Sequence, residues 1–232
     1  YLLGLVLPPA CGETERAAMA AGLKAEQDLS GLSLLGGDTT AGGVLTFSVT
    51  MIGRPGARGG VTRQGARPGD LVAITGTIGD GLLGLERARH GPARDDEGAM
   101  AYRLPAVPYG FEAAVARFAT ASIDVSDGLV ADLSHLAEAS GVEIVIHADL
   151  IPLSARGTEA SKAGRLAELL TGGDDYQTAF SFSPKHLAKV QKLSGVTVIG
   201  EVRSAKGESG AIVLRPDGLA MEFHRKGWDH FA

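Results

Sequence analysis

The sequence predicts an α/β (α+β) protein in two domains, 1–64 and 65–232. Three observations point there. Short apolar strands alternate with helical patterns, several strands run into a Gly-Asp pair, and residues 53–69, "GRPGARGGVTRQGARPG", hold little to bury and read as a connector. In the first domain "LLGLVLP" (2–8) reads as a strand, 13–29 as an Ala-rich helix ending near Gly31, and "LSLLGG" (32–37) and "GVLTFSVTMIG" (43–53) as two more strands.

In the second domain "DLVAITG" (70–76) is a strand, and Leu82, Leu83, Leu85 and Ala88 form a short helix stopped at Gly91-Pro92. "GPARDDEG" reads as a loop, and a helix near 109–119 leads into a strand at 121–126. Leu129, Leu133, Leu136 and Ala137 lie at helical spacing until Gly141 ends that helix. A strand at 142–148, a helix over 156–170, the strand "YQTAFSF", a helix opened by Ser183-Pro184, the strand "VTVIGEV" and a hairpin at Pro216-Asp217-Gly218 complete the order.

Composition excludes several classes. With 44% apolar and 21% charged residues the 232-residue chain buries a full core, and its net charge of −5 leaves no footprint for nucleic acid. A polyanionic ligand then calls for metal ions. The 33 glycines follow no fixed period, so they imply tight turns or close backbone approaches. Cys11 stands alone and forms no internal disulfide. "YLLGLVLPPAC" has no basic leading region and two prolines, so it reads as an internal strand rather than a signal, and the chain as a fragment or a part of a longer protein. No run approaches the roughly 18 apolar residues of a membrane span.

Two stretches carry candidate chemistry. In "IDVSDGL" (123–129), Ile123 and Val125 point to one face of a strand while Asp124 and Ser126 share the other, and Asp127 opens the following helix. Asp127 alone reads equally as an N-cap. Asp124 beside a second carboxylate costs repulsion unless it faces water or a cation. In "LLGGDTT" (34–40), Gly36 and Gly37 admit a ligand close to the backbone, and Asp38, Thr39 and Thr40 offer hard oxygen donors of the kind Mg²⁺ selects; a plain β-turn is the other reading. Gly-Asp recurs at Gly79-Asp80 and Gly173-Asp174. No Walker A loop, Gly-x-Gly-x-x-Gly turn, His-Glu-x-x-His helix or Gly-x-Ser-x-Gly elbow is present. Of the connector arginines Arg54, Arg58, Arg63 and Arg67, one is a phosphate-binding candidate and the rest read as solvated charges.

"LLGGDTT", "TRQGARPGD" running into "LVAITGTIGDGLLGL", "IDVSDGLVADLSHL", "TGGDDYQ" and "GWDHF" occur in the order seen in thiamine-monophosphate kinases, and the chain resembles that family over nearly its whole length. The resemblance implies the two-domain aminoimidazole ribonucleotide synthetase-like fold, with the first domain N-terminally truncated. It implies Mg²⁺-dependent transfer of the ATP γ-phosphoryl group to thiamine monophosphate, in a cytoplasmic protein that is a homodimer when the N-terminal segment is present. By position it makes Asp38, Asp124 and Asp127 metal ligands, Gly37, Asp38, Arg63 and Ser126 nucleotide contacts, and Asp174 and Trp228 contacts to the thiamine moiety. Trp228 also reads as a C-terminal core anchor. The sequence departs from the family at Asp174, where Glu is usual, and has no counterpart of the family's Gly-Asp-Asp segment. The alternatives are another ATP-dependent synthetase of this fold, or a catalytically incomplete fragment that only binds nucleotide or mediates assembly.

Overall fold

The structure is a computed structural model that describes residues 1–56, 59–90 and 96–228. The chain forms two units, Tyr1–Ala57 and Arg58–Ala232.

In the first unit β1 (Leu2–Leu7) is the centre of a three-stranded sheet, parallel to β2 (Gly36–Ala41) and antiparallel to β3 (Thr46–Thr50). Helix α1 (Glu13–Ser30) joins the parallel pair and stops at Gly31, whose left-handed backbone (φ 70°) donates its N–H to the Gln27 carbonyl. The strand expected at 32–37 lies later in the chain. Gly36-Gly37-Asp38 is inside β2, opposite Leu2, Leu3 and Gly4, rather than beyond a strand end. Gly37 is obligatory there: at φ 151° a Cβ would fall 1.9 Å from the Leu3 carbonyl oxygen.

The second unit is built on a six-stranded sheet of order β5-β7-β4-β8-β6-β9. These strands are β4 (Leu71–Thr75), β5 (Ala119–Val125), β6 (Val142–His147), β7 (Gln177–Phe182), β8 (Val196–Ser204) and β9 (Gly210–Leu214). Adjacent strands are antiparallel except β6 and β9. Helix α5 (Leu129–Ser140) lays Leu129, Leu133 and Leu136 on one face, against Ile123, Val125, Ile144, Ile146 and Val213. The other face buries Ala73, Phe180, Phe182 and Val190. β4 is therefore apolar on both sides, as its unbroken "LVAI" implies.

Helix α2 (Asp80–Arg89) matches the expected short helix. Its stop at Gly91-Pro92 and most of the following loop fall at 91–95, outside the described residues. Beyond them α3 (Glu97–Arg103), absent from the sequence reading, starts on Asp96, whose carboxylate accepts the Gly98 N–H at 2.8 Å and pairs with Arg87. Gly84 lets α3 lie on α2, since a Cβ there would come 2.7 Å from the Tyr102 nitrogen. After α4 (Glu112–Phe118), the helix expected over 156–170 is broken into α6 (Ala155–Ala160), a wide turn at Ser161–Arg165 with Gly164 at φ 85°, and α7 (Leu166–Thr171). A left-handed glycine cannot continue a right-handed helix. A 3₁₀ turn (Pro184–His186) and α8 (Leu187–Val190) follow Ser183, and Gly218 donates to the Arg215 carbonyl in the expected hairpin.

Candidate functional site

Strand β5 delivers the first carboxylate. Ala121, Ile123 and Val125 are buried and Asp124 is exposed, the alternation that the apolar spacing predicts. The chain then turns through Ser126-Asp127-Gly128 into α5. Asp127 is not the cap of that helix: the cap position is Gly128, and no side chain caps it there. The turn is instead held from inside. Asp132, in the first turn of α5 and 3% exposed, accepts through one oxygen the N–H groups of Ser126 (3.0 Å), Asp127 (3.0 Å) and Gly128 (3.1 Å). Burial pushes the Asp132 carboxyl above its ordinary range, while these three donors favour the charged form. Sequence reasoning passed over Asp132. The available signal was an acidic residue in the first helical turn, where the helix dipole favours it, on the same face as Leu129 and Leu136.

The loop 172–176 docks against this turn. Asp174 donates its N–H to the Ser126 carbonyl at 2.9 Å and Tyr176 donates to the Val125 carbonyl at 2.8 Å. Gly173 makes the approach possible, because a Cβ on it would lie 2.5 Å from the Ser126 oxygen. Asp174 and Tyr176 both have left-handed backbone, φ 60° and 50°. Strain of this kind costs about 1–3 kcal/mol per residue and persists where the surroundings enforce it. Between them Asp175, 5% exposed, accepts the N–H groups of Gly79 (2.8 Å) and Gly81 (2.9 Å) at the start of α2. Burial is the main cause that raises its carboxyl from 3.8 to about 6. The third segment is C-terminal: Trp228 donates its backbone N–H to the Asp127 carbonyl at 2.8 Å, beside Gly227, where a Cβ would meet Ala131 at 2.4 Å.

These three segments enclose a cavity of about 440 Å³ whose wall includes Ser126, Asp127, Asp174 and Trp228. Gly172, Tyr102, Tyr176, Leu85 and Arg89, none of them expected from the sequence as a site residue, complete it. Trp228 is 52% exposed on this wall and belongs to neither apolar core. It is not a core anchor. Asp124 lies outside the lining, but its charge is one of the influences that raise the Tyr176 phenol.

The other expected residues lie elsewhere. The Arg63 carbonyl accepts the Ser140 hydroxyl at 3.2 Å, at the C-terminal end of α5, about 18 Å of helix away from the Asp127 turn. Near it a larger cavity, about 660 Å³, opens between 59–70 and Ser183–His186. That cavity shares no lining residue with the first, and it has a close glycine approach of its own: Gly65 sits at φ 133°, where a Cβ would fall 2.4 Å from the Thr120 carbonyl oxygen. Gly37 and Asp38 belong to the first unit, where Asp38 accepts the Thr39 N–H at 2.9 Å. Among the described residues no three His, Cys, Asp or Glu side chains group closely enough to hold a metal ion by themselves.

The wall thus combines two carboxylates, one guanidinium and three aromatic rings over a backbone fixed by buried acids. Residues 67–213 match the family model described as AIR synthase related protein, C-terminal domain, which sets the class of the second unit. The chain is 36% identical to the thiamine-monophosphate kinase of Caulobacter vibrioides, aligning over 99% of its own length and 68% of that protein. A solved thiamine monophosphate kinase from Aquifex aeolicus superposes with a TM-score of 0.82 at 30% identity, over 95% of this chain and 74% of that one. A structure of AaThiL complexed with AMPPCP and TMP gives 0.80 at 28% identity, over 99% and 72%. The chain belongs to the thiamine-monophosphate kinase family. It spans 64–68% of the length of the first curated relatives it matches.

Proposed function

We propose that the protein transfers the γ-phosphoryl group of ATP to thiamine monophosphate, forming thiamine diphosphate and ADP. The observation that carries this reading is the 440 Å³ cavity in which Ser126, Asp127, Asp174 and Trp228 meet. Its wall holds carboxylates suited to cations together with an indole and two phenols suited to a flat cationic heterocycle.

The residues fit Mg²⁺. Neither the Asp124 nor the Asp127 carboxylate accepts a hydrogen bond or ion pair from any described residue, so both retain their lone pairs. Magnesium is commonly held by one or two carboxylates with phosphate oxygens and water completing the shell, so a dedicated protein cage is not required. Asp124 and Asp127 would hold it. When bound it supplies charge neutralisation between two phosphorylated substrates.

The remaining work falls to the chain. Within the second unit Ser126 and Arg63 bind the nucleotide in this reading, and Asp174 and Trp228 orient the acceptor. No side chain needs to act as a base, because the second pKa of a phosphate monoester is about 6 and the attacking oxygen is already ionised at neutral pH. Direct in-line transfer follows, with no phosphoenzyme. The reading extends to a cytoplasmic protein acting on small molecules, a homodimer when the family's N-terminal segment is present.

Mass analysis of products from ATP, thiamine monophosphate and Mg²⁺ tests it. Stoichiometric thiamine diphosphate and ADP are expected. ADP formed together with inorganic phosphate and unchanged thiamine monophosphate would sink the assignment and point to another ATP-dependent reaction on this fold.

A further inference from the structure

Asp174 and Tyr176 lie two residues apart, both with left-handed backbone, while Asp175 between them turns its carboxylate into the start of α2. The flanking side chains both line the cavity, and the Tyr176 hydroxyl donates to Asp174 Oδ1 at 3.1 Å. Among the described residues the Asp174 carboxylate accepts no other hydrogen bond, so Oδ2 keeps its lone pairs.

Three anchors hold this arrangement: Asp174 N–H on the Ser126 carbonyl, Tyr176 N–H on the Val125 carbonyl, and Asp175 on Gly79 and Gly81. The backbone of both residues is therefore set before any ligand arrives. What remains free is the side-chain torsion of Asp174, and the phenol removes that freedom. Burial, and next the Asp174 charge, raise the Tyr176 phenol above its ordinary value, which keeps the hydroxyl a donor.

We infer that Tyr176 is a positioning residue for the acceptor: its hydroxyl fixes the Asp174 carboxylate so that the second oxygen is presented to a heterocycle in the cavity. The inference rests on the functional reading above. Tyr176 acts through Asp174 and takes no part in the phosphoryl transfer.

The test is a double-mutant cycle in the complete protein with Tyr176→Phe, Asp174→Ala and the pair. Tyr176→Phe alone should raise the KM for thiamine monophosphate roughly 3- to 10-fold, the net worth of one ordinary, solvent-exposed hydrogen bond, with kcat and the KM for ATP unchanged. In the Asp174→Ala background the same change should do nothing further. An equal rise in both backgrounds, a rise in both KM values together, or no rise at all overturns the proposal. A second readout needs no turnover: the Tyr176 phenol, taken as the difference between wild-type and Tyr176→Phe ultraviolet titrations, should ionise at lower pH once Asp174 is Ala. An unchanged phenol titration overturns the proposal whatever the kinetics show. Wild-type protein inactive on thiamine monophosphate overturns the functional reading, and the phenol titration then still decides whether Tyr176 holds Asp174.

Discussion

The buried carboxylate of Asp132 accepts the backbone N–H of Asp127 at 3.0 Å, so one acid fixes the main chain beneath another. The same oxygen holds the N–H groups of Ser126 and Gly128. Removing it leaves buried donors without an acceptor, each costing about 1–3 kcal/mol where water cannot replace the bond. Asp132→Ala should therefore lower the unfolding free energy by about 2–4 kcal/mol in urea titrations. The surviving folded fraction should also bind Mg-ATP more weakly. A variant as stable as wild type would show that the turn is held by its other contacts.

Asp175 makes stability depend on pH. Its folded carboxyl titrates at about 6 against an ordinary 3.8, so between these values the folded protein holds the proton more tightly than the unfolded chain. The favourable contribution is complete below about pH 4 and is lost as pH rises through 6. Between pH 4.5 and 7 this one group should cost roughly 2 kcal/mol. Asp175→Asn has no proton to lose, so the stability difference between wild type and variant should drift by that amount across the range. A constant difference would show that Asp175 ionises normally.

Asp124→Asn and Asp127→Asn should fold like wild type, because neither carboxylate accepts a described hydrogen bond. Both should weaken Mg-ATP binding in calorimetry by about tenfold or more, as expected when a hard anionic ligand becomes a neutral amide. Wild-type affinity in two well-folded variants would remove these residues from the metal site. Arg63→Ala belongs in the same series: its place at the far end of α5 predicts weaker nucleotide binding only if the nucleotide spans that distance.

Trp228 is half exposed, so Trp228→Ala should leave thermal stability nearly unchanged. Loss of an aromatic face over a cationic ring, worth about 0.5–2 kcal/mol, should raise the KM for thiamine monophosphate several-fold and spare that for ATP. Gly227→Ala offers an independent check. Its Cβ would collide with Ala131 and with the Asp127 oxygen 2.7 Å away, so the variant should shift the emission of the chain's single tryptophan. Unchanged emission would mean that Trp228 is not seated by this contact.

Strand and helix order in the second unit was legible because burial follows simple periods. Ile123, Asp124 and Val125 sort in, out and in on β5, and Leu129, Leu133 and Leu136 mark the inner face of α5. Errors came where a glycine or a remote contact decides. Gly164 breaks a helix that its neighbours would continue, and α3 packs only because Gly84 leaves room for Tyr102.

The sequence by itself determined the residue types of the candidate site: the Asp-x-Ser-Asp-Gly run, the Gly-Gly-Asp-Asp-Tyr run and a tryptophan near the chain's end. Only the tertiary structure decided that they share a cavity. Their meeting depends on hydrogen bonds between residues 48 and 101 positions apart, Ser126 with Asp174 and Asp127 with Trp228, and such contacts leave no local periodicity. The structure also decided that Asp127 caps nothing and that Asp132 and Asp175 turn inward. A buried acid is defined by which N–H groups surround it, and folding brings those from a turn or from another helix.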